Sequence, residues 1–240
     1  MASISTPICV GFCGRRGVGK TTAADAAADF LRSLNHNVVR ASLADLARAV
    51  SGILLNHSAR RAGFIDANHV VHSLTVTAGQ LERVVELVTN ERYKSSQHKH
   101  LKDAFTNDLM RRCARGGSPN QLVFRDHRDG VTYGWLLCLV DDALRAAFGS
   151  AAVDYVLRVN PDAKYVVVDD VCFPGEVDAI QAGRGCVLRV MVDGDTVTDC
   201  AEEDGLDVNN GVFNSGEQFG KDVELTVRIY VINKPRFYFL

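Results

Sequence analysis

The residues best suited to chemistry lie together near the start of the chain, in Gly14-Arg15-Arg16-Gly17-Val18-Gly19-Lys20-Thr21. Their order is that of a phosphate-binding loop, GxxxxGK[ST]. Glycines at such positions let successive backbone N–H groups turn inward around an anion. A helix starting near Lys20 would add its positive dipole end at the same point. The Lys20 ammonium can follow a terminal phosphate as a point charge, and the Thr21 hydroxyl can ligate Mg²⁺. Gly14, Arg16, Gly17, Val18, Gly19, Lys20, Thr21 and Thr22 are therefore the expected ATP-binding residues. The bland alternative is a glycine-rich turn that binds nothing. The Lys-Thr pair directly after the last glycine argues against it.

A loop of this kind needs an acidic residue at the end of a neighbouring strand, to hold the metal directly or through water. Asp169 and Asp170 end the β-branched run Tyr165-Val166-Val167-Val168 and fit that place, with Asp170 preferred for Mg²⁺. Asp also closes strands simply as a turn former. Other signals are weaker. His69 with His72, and His98 with His100, lack the clustered ligands of a zinc site. Cys13, just before the loop, is a candidate oxidation-sensitive thiol, with packing at a strand end as the preferred reading.

These residues need elements to hold them. Ile8 to Phe12 reads as a buried strand. From Thr21 a helix follows, with Ala23, Ala26, Ala27, Phe30, Leu31 and Leu34 on one face and Asp25 and Asp29 on the other. Val38 to Ala41 reads as a strand and Leu43 to Leu55 as a helix. The middle of the chain, Ala62 to Gly130, changes character. Thr75 to Tyr93 and Lys99 to Arg115 read as helices joined by a polar linker from Lys94 to His100. Gly116 to Asn120 is a loop, Gln121 to Phe124 a short strand, and Arg125 to Gly130 a charged turn. Tyr133 to Phe148 is an apolar helix, Gly175 to Gly183 a short one, and Val187 to Val192 a strand. Gly205 to Gly220 reads as loop, and Val223 to Ile232 as a terminal strand. Strands alternating with helices predict an α/β sheet with largely parallel strands.

Composition narrows the partners. The 240 residues are 47% hydrophobic and 23% charged, an ordinary globular balance that fits one domain with an insertion first and two small domains second. A net charge of −2 gives no basic excess, so nucleic acid is not an expected partner. No apolar stretch approaches the ~20 residues that span a bilayer, and Met1 to Pro7 shows no secretory pattern. Seven cysteines, an odd number without a CxxC pair, predict reduced and mostly buried thiols in a cytoplasmic protein. The apolar end Phe237-Tyr238-Phe239-Leu240 is expected to dock on the core or on a partner subunit, as in a homodimer.

Val167 to Ile180, with Asp170, Val171, Phe173, Pro174 and Glu176, resembles the late strand–turn–helix of bacteriophage and viral deoxynucleoside monophosphate kinases. Ser42 to Arg48 is similar to that family's segment after the second strand, near the monophosphate acceptor. Trp135-Leu136-Leu137 with Arg145 resembles its later helix of acceptor and phosphate contacts. Asn214-Ser215-Gly216 resembles a short asparagine turn beside the adenine. The resemblance implies a three-layer P-loop NTPase fold with a mainly parallel central sheet and a helical acceptor or lid insertion. It makes residues 1–240 one kinase-like domain, with the core at about 1–60 and 131–240 and the insertion at about 61–130.

The implied activity is ATP- and Mg²⁺-dependent phosphoryl transfer to a (deoxy)nucleoside monophosphate. Lys20, Arg145, Arg128 and Arg125 are the candidate catalytic cations, Asp45, Arg48, Trp135 and Asp170 the substrate contacts, Asn214 an ATP contact, and Thr21 and Asp170 the metal ligands. The chain departs from the family at Cys172, Gly134, Cys138 and Asp141, the first two replacing arginines. Arg clamps phosphate bidentately, so these changes keep two alternatives open: a kinase-like protein with a structural or assembly role, and a kinase with a non-nucleotide acceptor such as phosphomevalonate.

Overall fold

The computed structural model describes residues 6–56, 65–90, 96–115, 121–124, 130–192, 212–214 and 227–231. It divides into two compact units, Met1–Leu43 with Val156–Leu240, and Ala44–Tyr155.

The first unit is built on a six-stranded sheet. Its strands are β1 (Ile8–Cys13), β2 (Val38–Ala41), β8 (Tyr165–Val168), β9 (Cys186–Val192), β10 (Val212–Asn214) and β11 (Val227–Val231). Their spatial order is β10-β11-β9-β1-β8-β2. The four strands β9, β1, β8 and β2 run parallel. β11 lies antiparallel to β9, and β10 antiparallel to β11. The fold is therefore α/β with a four-stranded parallel centre. β1 and β8 are near-continuous apolar runs because a central parallel strand is buried on both faces.

Helices cover those faces. α1 (Lys20–Ser33) buries Ala24 and Ala28 against Val10, Phe12, Val167 and Val190. α7 (Pro174–Ala182) buries Val177 and Ile180, and Ile180 approaches Gly11 and Val187 on the other side. The face of α1 differs from the periodicity reading. Phe30 and Leu34 are 63% and 50% exposed, and Ala26 is exposed; the packed stripe is Ala23, Ala24, Ala27, Ala28 and Leu31. Small side chains let a helix approach a sheet closely, so the alanine stripe wins over the larger residues.

The second unit holds α2 (Ala44–Leu54), α3 (Ala78–Thr89), α4 (Ser96–Arg112) and α5 (Tyr133–Phe148). Two small sheets accompany them: β3 (Val70–Val71) with β7 (Val131–Thr132), and β4 (Ser73–Thr75), β6 (Gln121–Phe124) and β5 (Cys113–Arg115) in the order β4-β6-β5. The core joins Leu46, Val50 and Leu54 of α2, Val84 and Val88 of α3, Phe105 and Leu109 of α4, and Leu136, Leu139 and Val140 of α5. This unit is larger than the span 61–130 marked out by polarity, because the apolar faces of α2 and α5 close on α3 and α4. A further helix, α6 (Ala151–Arg158), contains the division between the units.

Three helix boundaries also differ from expectation. Thr75 lies in β4, and the first long helix starts only at Ala78, where Thr77 and Gln80 form a reciprocal cap. The expected linker residues from Ser96 onward belong to α4, and Cys113 to Arg115 leave that helix to pair with β6. Gly116 to Asn120, the turn from Arg125 to Asp129 and the apolar chain end lie outside the described residues. Among those described, no helix is long and apolar enough to cross a membrane.

Candidate functional site

β1 sits where the strand order reverses. From β1 the chain passes through α1 to β2 on one side, and from its neighbour β8 it passes through α7 to β9 on the other. Ligand crevices in open α/β sheets form outside the carboxyl ends of the strands at such a point. The residues at that end of β1 are the glycine-rich loop, Gly14 to Gly19, followed at once by α1.

Gly14, Gly17 and Gly19 have φ of 137°, 82° and 92°, in the region that L side chains avoid. Gly14 has a second reason to be glycine: a Cβ there would lie 2.4 Å from the Val190 carbonyl oxygen. At Gly17 and Gly19 a Cβ would meet nothing within 4 Å, so the loop faces open space. Val18 is buried under the loop against the α1 side of the sheet and anchors it, while Arg16 is exposed. Gly19 precedes α1 with no side-chain cap. The first N–H groups of a helix have no intrahelical acceptor, and here no side chain occupies their place. Lys20 folds back over the loop: its Nζ donates to the Gly14 carbonyl at 2.6 Å and the Arg15 carbonyl at 2.9 Å. Thr21 and Thr22 are exposed in the first turn of α1.

The two aspartates after β8 divide their partners. Arg40 on β2 donates to the Val167 carbonyl at 2.9 Å and pairs with Asp169 at 3.2 Å and with Asp25 of α1 at 2.8 Å. Asp170 turns elsewhere. Its Oδ2 accepts from the Ser42 hydroxyl at 2.6 Å and its Oδ1 from the Leu43 N–H at 3.0 Å. The next residue, Val171, donates its N–H to the Phe12 carbonyl at 3.3 Å, so Asp170 runs beside the end of β1. Glu176, only 3% exposed, accepts from the Cys172 and Phe173 N–H groups at 2.9 and 3.1 Å and fixes the turn into α7.

The donor set suits a magnesium nucleotide. A hydroxyl and a carboxylate are hard oxygen ligands, and Mg²⁺ commonly takes one or two such groups together with phosphate oxygens. Among the described residues no group of three or more His, Cys, Asp or Glu side chains stands ready to hold a metal, so an all-protein cage is not what these residues make.

The candidate acceptor residues lie in the second unit. Asp45 and Arg48 pair with each other at 2.6 Å on α2. The Trp135 ring meets Phe124 edge-on, with centroids 5.5 Å apart, and is partly buried against the core. Arg145 pairs with Asp141 one turn earlier on α5, and its second nitrogen lies 4.0 Å from Asp142. Asp141 stands where the resembled family has glycine, so this departure itself engages the candidate clamp. Tyr133 is held above its ordinary pKa by burial, against the nearby Arg48 guanidinium, which lowers it.

Asn214 ends β10, its backbone paired in register with Arg228 of β11, and the rest of the expected turn, Ser215 and Gly216, lies outside the described residues. Arg125 and Arg128 lie outside the described residues. The thiols are mixed: Cys9, Cys13 and Cys113 are buried, Cys186 is half-buried, and Cys138 and Cys172 are exposed. Sequence reasoning missed Arg40, Ser42 as a partner of Asp170, and the fully buried Arg189 opposite Cys13. The signal for Arg189 was present, a lone cation in the apolar run Cys186 to Val192. No family model, curated protein or solved structure matches the chain.

Proposed function

We propose that the chain is an ATP-dependent kinase that moves a phosphoryl group to a (deoxy)nucleoside monophosphate. The observation that carries this reading is the loop from Gly14 to Thr21. It stands at the carboxyl end of β1, faces open space at Gly17 and Gly19, and has Lys20 folded across it. Phosphoryl transfer asks a protein mainly for alignment and charge neutralisation. The loop N–H groups and the start of α1 would hold the donor phosphates. Lys20 would exchange its two carbonyl partners for phosphate oxygens. Thr21 and Asp170 would hold Mg²⁺, which neutralises charge on the donor phosphates when bound. The acceptor's own phosphate oxygen attacks, so no general base is required. The reading includes a small-molecule acceptor and a reducing, cytoplasmic setting.

One observation favours a second reading, nucleotide binding without transfer. Arg145, the candidate clamp on α5, is already paired with Asp141. A coupled ADP-release assay across all nucleoside and deoxynucleoside monophosphates, with phosphomevalonate as the non-nucleotide acceptor, separates these. The kinase reading expects turnover on at least one monophosphate and its loss in Lys20→Ala. Turnover that survives Lys20→Ala defeats the donor-site assignment. ATP binding without turnover on any acceptor selects the second reading.

A further inference from the structure

We infer that Ser42 is a positioning residue for the Asp170 carboxylate, fixing the plane in which it faces the donor site; this rests on the donor-site reading above. The register of β2 against β8 pairs Ala41 with Val168, so the residues that follow, Ser42 and Asp169-Asp170, leave the sheet side by side. The β2–α2 turn then offers one donor to each carboxylate oxygen: the Ser42 hydroxyl at 2.6 Å and the Leu43 N–H at 3.0 Å. Short hydrogen bonds to a carboxylate are directional and stronger than neutral ones. Two of them, one per oxygen, fix the carboxylate's orientation. A carboxylate has about four acceptor positions, so one that accepts such bonds can still ligate a metal ion or its bound water.

The neighbouring acid cannot replace it in this arrangement. Asp169 is turned to Arg40, whose guanidinium also holds the Val167 carbonyl and Asp25. Arg40 and Ser42 thus sort two adjacent aspartates into separate tasks, one tying β2, β8 and α1 together and one held by the β2–α2 turn beyond the end of β8. A mere role in starting α2 would need only that Leu43 N–H find an acceptor. The Ser42 hydroxyl adds a second contact to the carboxylate, on its other oxygen.

The test is ADP binding by calorimetry, with Mg²⁺ and with EDTA, in the full chain. The ratio of the two Kd values isolates the metal-dependent part of the affinity. Ser42→Ala is expected to cut that ratio roughly tenfold, the size of one charge-assisted hydrogen bond, while the Kd in EDTA stays unchanged. Ser42→Thr, which keeps the hydroxyl, restores the ratio. In an Asp170→Asn background Ser42→Ala has no further effect, because the two act as one unit. Should Ser42→Ala fail to fold, Ser42→Cys carries the comparison, its weaker donor giving an intermediate ratio. A lowered melting temperature with an unchanged ratio makes Ser42 a residue of the α2 start only and overturns the inference. Failure of the wild-type chain to bind ADP at all overturns the donor-site reading, and the positioning role with it.

Discussion

Lys20 is satisfied within its own loop. Its ammonium donates to two loop carbonyls, and on the proposed reading phosphate oxygens take their place. The buried thiol of Cys9 gives a cleaner energetic prediction. Its pKa rises from an ordinary 9.0 to about 12, first through burial, then through the neighbouring Cys186 thiol and the Asp170 carboxylate. Above the unfolded value the unfolded chain releases a proton that the folded chain retains. This contribution is therefore complete below pH 9 and declines as pH rises toward the folded value, by about 1.4 kcal/mol per pH unit. Urea midpoints followed from about pH 8 to about pH 11 should fall more steeply for the wild type than for Cys9→Ala. Parallel slopes would show that Cys9 does not titrate this way.

At the scale of elements, Gln80 does two jobs. Its Oε1 accepts from the Thr77 N–H at 2.9 Å to close the cap of α3. Its Nε2 donates to the Ile53 and Leu54 carbonyls at 2.9 and 3.3 Å, near the end of α2. Gln80→Ala removes both and leaves buried carbonyls without that donor. We expect a loss of about 1–3 kcal/mol by chemical denaturation, against about 1 kcal/mol for Thr77→Ala, which touches the cap alone. Equal losses would mean that the bonds to α2 contribute nothing. Thr77 and Gln80 have the spacing of that cap, but apolar periodicity carries the helix back to Thr75, which lies in β4. Periodicity was a good guide where one face is apolar and the other is not. Tyr133 to Phe148 and Leu43 to Leu55 match α5 and α2 within one residue. It failed on α1, where alanines at adjacent positions define no single stripe until a sheet selects one. The glycine-rich loop was legible because phosphate binding, its proposed role, needs a fixed order of residue types. The contacts of Asp170 were not, because Ser42 reaches it across 128 positions of sequence.

At the scale of the whole molecule, the chain builds two cores. One unit holds the loop, Lys20, Thr21 and Asp170; the other holds Asp45, Arg48, Trp135 and Arg145. Backbone topology sets the loop and Asp170 after the carboxyl ends of two adjacent parallel strands, β1 and β8. The acceptor-side residues are mostly engaged with each other or with the core, as in Asp45 with Arg48 and Arg145 with Asp141. The proposal is therefore carried by the donor half, and its central claim is that the Gly14–Thr21 loop binds a magnesium nucleotide. Calorimetric titration of Mg·ATP into the wild-type chain and into Lys20→Ala tests this most directly, with circular dichroism to verify that both are folded. The account predicts a single site in the wild type and an affinity at least about tenfold weaker in the variant, since a lysine–phosphate contact is lost. A folded wild-type chain that does not bind Mg·ATP, or a Lys20→Ala variant that binds it equally well, would contradict the account.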